Sequence, residues 1–225
     1  MRSCKIHDRQ LNTRCGQLTH IAQQYDIPIA NWLDLSTGIA PTSYPVPQIP
    51  EATWRRLPEK SNALIRAAQQ YYQGQNLMPI SGSQSMIQLL PELMTSQNKT
   101  VNRAFIPAIG YQEHKKAWAN SCAKVCLYQD IAQLNALTAQ DLVVVINPNN
   151  PTGTRYTTTQ IGHLFEKIKK VGAMLVIDEA FMDGSPEHSF IQHSGDPQLM
   201  ILRSMGKFFG LAGLRLGFLA AAPLG

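Results

Sequence analysis

The sequence has no apolar run approaching the roughly 20 residues of a membrane-spanning helix, no CxxC pair, no block of like charge and no low-complexity tract. Each lack removes a class of function. The opening stretch "MRSCKIHDRQLNTRC" has no apolar segment of signal-peptide type. The 4 cysteines, Cys4, Cys15, Cys122 and Cys126, are too few for a disulfide scaffold and lack metal-site spacing, so a reducing cytoplasm is the expected location. Cys122 and Cys126 can share a helix face as ordinary packing residues. Charge is sparse at 16% of residues, and the net value of +5 is scattered. The densest basic cluster, Lys167, Lys169 and Lys170, falls on a predicted surface helix. No basic stripe is interleaved with aromatics, so neither nucleic acid nor a membrane is an expected partner.

What is present is hydrophobic content, 44% in 225 residues. A chain of this size buries roughly 70% of its unfolded surface, enough for a core without staples. The early stretch "LTHIAQQYD" is amphipathic. The following "WLDLSTGIAPTSYPVPQIP" is too rich in proline for regular structure and reads as an extended arm. Residues 61–73 have helical spacing behind Ser61, a candidate N-cap. From residue 80 onward helices and apolar strands alternate: "SMIQLLPELM", "RAFIPA", "YQEHKKAWANS", "KVCLY", "DLVVVINP", "TTQIGHLFEKIKKV", "AMLVIDEAF", "LMILRS" and "LRLGFLAA". This pattern predicts an α/β fold, a mostly parallel central sheet with helices on both faces. Ligands of such sheets bind beyond the carboxyl ends of the strands.

Polar residues stand at those ends. Ser81-Gly82-Ser83-Gln84 leads into a helix and serves equally as an N-cap or as a phosphate cradle. Asn147-Pro148-Asn149-Asn150-Pro151-Thr152-Gly153 is by itself a turn. Asp178 and Glu179 follow "MLVI", where a carboxylate is as readily a helix cap. Ser204 and Lys207 follow "LMILR", and Arg215 lies eight residues further on. The glycines Gly210, Gly213 and Gly217 lack the spacing and context of a dinucleotide fingerprint.

In this order the set resembles the fold-type-I pyridoxal 5′-phosphate enzymes, the aspartate-aminotransferase-like superfamily, over residues 80–221. The resemblance implies that pyridoxal 5′-phosphate is the cofactor and that Lys207 bonds covalently to its aldehyde. It implies a phosphate held by Arg215, Ser204 and the backbone around Gly82, Ser83 and Gln84. Asp178 pairs with the pyridine nitrogen, Asn150 with the ring hydroxyl, and Tyr111 stacks on the ring. Lys207 and Asp178 are thus the implied catalytic pair. Phe181 stands where many of these enzymes have a tyrosine, so Asn150 is left to hold the ring oxygen more nearly alone.

The flanks narrow the resemblance. "NWLDLSTGIAP", "WRRLPE", "YYQG", "GSQSMIQLLP" and "GYQEHKKAW" are similar to the threonine-phosphate decarboxylases of cobalamin biosynthesis, close kin of histidinol-phosphate aminotransferases. The implied reaction is decarboxylation of L-threonine O-3-phosphate to (R)-1-amino-2-propanol phosphate by a homodimer. A histidinol-phosphate-type aminotransferase is the alternative. Two departures bear on the substrate. Arg14, in "RCGQL", occupies the place of the family's histidine and is a candidate substrate-phosphate ligand beside Asn150. Ala40 replaces the family's arm asparagine. The resemblance divides the chain into an arm and substrate-side segment, 1–58, and a cofactor-binding large domain, 59–225. It also implies a C-terminal small domain, with a carboxylate-binding arginine, that this sequence does not contain, so a remnant without activity is a further alternative. No metal ligands are implied.

Overall fold

Aliphatic runs with no polar face are satisfied only inside a sheet that is covered on both sides. They occupy that position in the computed structural model, which describes residues 17–57, 59 and 61–223. Among the described residues, seven strands form one sheet: β1 Leu77–Ile80, β2 Arg103–Pro107, β3 Lys124–Tyr128, β4 Asp141–Ile146, β5 Met174–Asp178, β6 Leu199–Ser204 and β7 Gly217–Ala221. Their spatial order is β1-β7-β6-β5-β4-β2-β3. Strands β2 to β6 pair parallel, while β7 is antiparallel to both β6 and β1. Strand β1 therefore runs in the same direction as β6.

Alternate residues of the central strands feed two apolar layers. Val143, Val145, Leu175, Ile177, Leu199 and Ile201 face helices α3 (Asn62–Tyr72) and α6 (Thr158–Val171). Leu142, Val144, Met174, Val176, Met200 and Leu202 face α4 (Ser83–Ser96) and α5 (Gln112–Ala119). The expected sheet with helices on both faces is thus present. Ser61 caps α3, its Oγ accepting from the Leu64 N–H at 3.2 Å. Thr157 and Gln160 form a reciprocal capping box at α6, which ends on Gly172 in the left-handed conformation. The sequence reading did not include β1. It is four residues long, contains Pro79 and lies at the sheet edge, where a missing N–H is tolerated.

The chain divides into two compact units between Ile39 and Ala40. The first contains α1 (Leu18–Tyr25), a 3-10 turn at Ile29–Asn31, and the rings of Tyr25 and Trp32 in tilted contact at 6.2 Å. The second contains the sheet, and residues 40–57 group with it, including the short α2 (Glu51–Trp54). No described helix is long and apolar enough to cross a membrane.

At the amino ends of β2 and β4, Arg103 lies opposite Asp141. Its Nε and Nη2 donate to the two carboxylate oxygens at 2.8 and 2.6 Å, and the Thr138 N–H adds a third bond at 2.6 Å. Burial pushes the Asp141 carboxyl up, but these bonds outweigh it and hold the group below its ordinary value. A depressed carboxyl stabilises the fold above the unfolded pKa of about 3.9, and that contribution is lost as pH falls through the folded value. Arg103→Gln should cost about 1–2 kcal/mol at pH 7, discounted because the guanidinium is partly exposed. The difference from wild type should shrink toward pH 3, as urea midpoints at the two pH values will report.

Candidate active site

Register builds the site. Ile80 pairs with Gly217, and Gly217 pairs with Ser204, so the ends of β1 and β6 and the start of β7 form one row. Gly82, two residues beyond Ile80, must then meet Arg215, two residues before Gly217. A Cβ added to Gly82 would stand 3.0 Å from Arg215 Nη2, and Gly82 itself has φ +77°, a conformation suited to glycine. The pocket wall here depends on a missing side chain. Helix α4 starts at once after Gly82 with no side-chain cap, leaving its first N–H groups without intrahelical partners. Arg215, left-handed at φ 53°, is braced by an Nη1 bond to the Ala212 carbonyl at 3.2 Å. Backbone donors, a hydroxyl (Ser204) and a guanidinium on one wall constitute an anion cradle.

Strand parity selects the opposite wall. Met174, Val176 and Asp178 point to one face, so Asp178 is directed at α5, where His114 waits one turn before the buried Trp118. His114 Nε2 donates to Asp178 Oδ2 at 2.9 Å, and the Ala180 N–H donates to Oδ1 at 3.0 Å. Both side chains are buried. These bonds fix the rotamer of the carboxylate. Lys207 Nζ lies 5.4 Å from the centre of the Phe181 ring, so an aromatic face borders the amine.

The Asn/Pro/Gly segment is a turn whose members divide the work. Asn147 binds the backbone of Tyr156 through both ends of its amide, at 3.1 and 2.8 Å. Asn149 donates to the Ile109 carbonyl and to Thr152 Oγ1 at 2.8 and 2.9 Å. Asn150 is left to line the cavity. Tyr111 caps no helix with its side chain. Its hydroxyl donates to Gln84 Oε1 at 2.7 Å, and Gln84 Nε2 donates to Glu113 at 2.8 Å. The hydrogen bond from Lys116 then holds the Glu113 carboxyl below its ordinary value.

Gly82, Ser83, Gln84, Tyr111, Asn150, Asp178, Ser204, Lys207 and Arg215 all line one cavity of about 200 Å³ at the carboxyl ends of the strands. Arg14 lies outside the described residues. Sequence reasoning did not single out His114, although its i, i+4 relation to Trp118 marked an inward-facing polar residue. It also passed over Arg203, whose guanidinium reaches Glu179 and Asp183 at 2.8 and 2.9 Å and stacks on Tyr72 at 4.5 Å. Asp178 and Glu179 are adjacent yet serve different layers. Among the described residues no cluster of metal-ligating side chains occurs.

A mostly parallel sheet, covered on both faces and carrying lysine, carboxylate and an arginine-lined anion cradle at its strand ends, defines the class of protein. The chain belongs to the aminotransferase class I and II family, whose model matches residues 53–223. A threonine-phosphate decarboxylase of Pseudomonas aeruginosa is 42% identical over 210 residues, covering 93% of this chain and 62% of that protein. One from a Sinorhizobium species is 40% identical over 212 residues, covering 92% and 62%. The chain thus spans less than two thirds of either relative. In fold it is similar to a histidinol-phosphate aminotransferase of Sinorhizobium meliloti solved in complex with pyridoxal-5′-phosphate, with a TM-score of 0.61, 20% identity, and 72% and 46% of the two chains covered.

Proposed function

We propose that this chain binds pyridoxal 5′-phosphate and carries the cofactor site of an L-threonine O-3-phosphate decarboxylase. The observation that carries the reading is the convergence of all nine described residues implied by the resemblance on a single cavity. Identity of 42% to the Pseudomonas aeruginosa decarboxylase supports the substrate. The cavity suits a phosphorylated pyridine aldehyde on two grounds: the Gly82 space that a Cβ would fill against Arg215, and a donor set that offers an anion cradle at one end and a carboxylate at the other. When bound, the cofactor supplies an aldehyde that takes up amines and a ring that draws electrons from the substrate's α-carbon.

The protein's own residues do the rest. Gly82, Ser83, Gln84, Ser204 and Arg215 would hold the phosphate. Asp178, oriented by His114 and the Ala180 N–H, would pair with the ring nitrogen and favour its protonated form. Asn150 would hold the ring oxygen, and Tyr111, positioned by Gln84, would cover the ring. Ile146, Phe181 and Leu216 contribute the apolar part of the cavity lining. Lys207 Nζ would serve as the nucleophile for the aldehyde and as the proton carrier for the α-carbon.

Release of CO2 from L-threonine O-3-phosphate, with one amine phosphate formed per CO2, is the expected result with the cofactor-loaded chain. Amino transfer from histidinol phosphate to a 2-oxo acid without CO2 release would assign the aminotransferase alternative instead.

A further inference from the structure

The loop that carries Lys207 is gripped by a second stretch of irregular backbone. The Lys207 carbonyl accepts two hydrogen bonds, one from Gly210 within its own loop at 3.2 Å and one from the Ala40 N–H at 2.9 Å. Both lone pairs of that oxygen are thereby used, which fixes the peptide plane from which the lysine side chain departs. Four residues further along the same stretch, the Tyr44 N–H donates to the Phe209 carbonyl at 2.8 Å. The Tyr44 ring meets Phe209 edge-on at 6.0 Å, and Phe209 also leans on Tyr71 at 5.7 Å.

Gly210 is the seat for this stretch. It has φ +65°, and a Cβ there would stand 2.8 Å from Ser43 Cα, 3.0 Å from the Thr42 oxygen and 3.1 Å from the Ala40 oxygen. All three are backbone atoms, which cannot swing aside as a side-chain tip does. Glycine is therefore required twice over, by the dihedral and by the contact. Gly172 provides the contrast: it is also left-handed, at φ +79°, but a Cβ there meets nothing closer than 3.5 Å.

We propose that Ala40–Tyr44 is a positioning strap that sets the direction of the Lys207 amine, with Gly210 as its seat. A lysine has four side-chain torsions, and the aim of its amine is only as good as the backbone that launches it. The loop from Met205 to Leu216 contains no strand or α-helix of its own, only the 3-10 turn Ala212–Leu214, so an external brace supplies the rigidity. The inference rests on Lys207 being the cofactor lysine.

The test compares Gly210→Ala, Tyr44→Ala and Gly172→Ala, each loaded with pyridoxal phosphate. The readouts are cofactor affinity, the pH midpoint of the visible band and the cofactor-free melting temperature. Gly210→Ala should bind the cofactor about tenfold more weakly, or worse, and move the pH midpoint. Tyr44→Ala, which leaves the loop's own residues untouched, should shift both in the same direction by less. Gly172→Ala should lower the melting temperature while keeping the wild-type affinity and midpoint. Wild-type affinity and midpoint in Tyr44→Ala and in any folded Gly210→Ala would overturn the strap. A separate failure is distinguishable: wild-type chain that yields no borohydride-fixed label on Lys207 overturns the assignment of the lysine, and the strap with it.

Discussion

Lys207→Ala is expected to abolish covalent capture of pyridoxal phosphate. Wild-type chain treated with the cofactor and then borohydride should carry the label on the peptide containing Lys207, and the variant should carry none. Lys207 lines the cavity with Asp178, Asn150 and Arg215, and its amine lies beside the Phe181 ring. An amine bordered by an aromatic face and an anion cradle is placed to meet an aldehyde tethered by its phosphate. Because Gly82, Ser204 and Arg215 are untouched, the variant should still bind the cofactor reversibly, and equilibrium dialysis will show it. Decarboxylation should fall about 10²–10⁴-fold from loss of the proton carrier alone. Labelling of another lysine in wild type would move the site elsewhere.

Arg203→Met is expected to produce the largest loss of stability. Arg203 is buried between Glu179 and Asp183, with Ser189 Oγ and the Phe190 N–H also on Glu179 at 2.5 and 2.8 Å. Burial lowers the affinity of the guanidinium for its proton, but the two carboxylates more than restore it. Removing the cation leaves two buried carboxylates facing an aromatic ring, and breaking such a pair costs about 3–5 kcal/mol. The pH dependence has a definite sign. Burial already raises the Glu179 carboxyl above its ordinary value, and loss of Arg203 raises it further. A raised carboxyl favours the fold below its unfolded pKa, and that contribution is lost as pH rises through the folded value. The variant should therefore fare worst at neutral pH and recover toward pH 5, as urea unfolding at the two values will show. Adding Glu179→Gln and Asp183→Asn should recover part of the loss. A difference below about 1 kcal/mol with no pH dependence would mean that the triad carries little of the fold.

The two layers of the sheet explain why some of this was readable beforehand. "DLVVVI" and "LMILRS" are buried at every position, and a strand with no polar face has no other place to go. Helix α6 was legible as "TTQIGHLFEKIKKV" from its amphipathic spacing, and its two stops, Thr157 and Gly172, are local chemistry. The order of the motifs pointed to Lys207, Asp178, Asn150 and Arg215 through the family it resembles; the first three stand at or just beyond strand ends, where α/β sheets keep their ligands, and Arg215 just precedes β7. Edge strand β1 was not legible, since four residues with a proline carry too little pattern.

By itself, then, the sequence determined the apolar strands, the helices that alternate with them and the polar groups at strand ends, because these follow from local periodicity. Tertiary structure alone decided who meets whom. That Gly82 faces Arg215 depends on β1 and β7 pairing antiparallel with Ile80 on Gly217. That His114 rather than another residue orients Asp178 depends on strand parity, as does the division of Asp178 and Glu179 between opposite layers. That Ala40 braces Lys207 depends on a contact between residues 167 positions apart in the chain, from 40 to 207. Such contacts are set by register and packing across the sheet, which no local window of sequence contains.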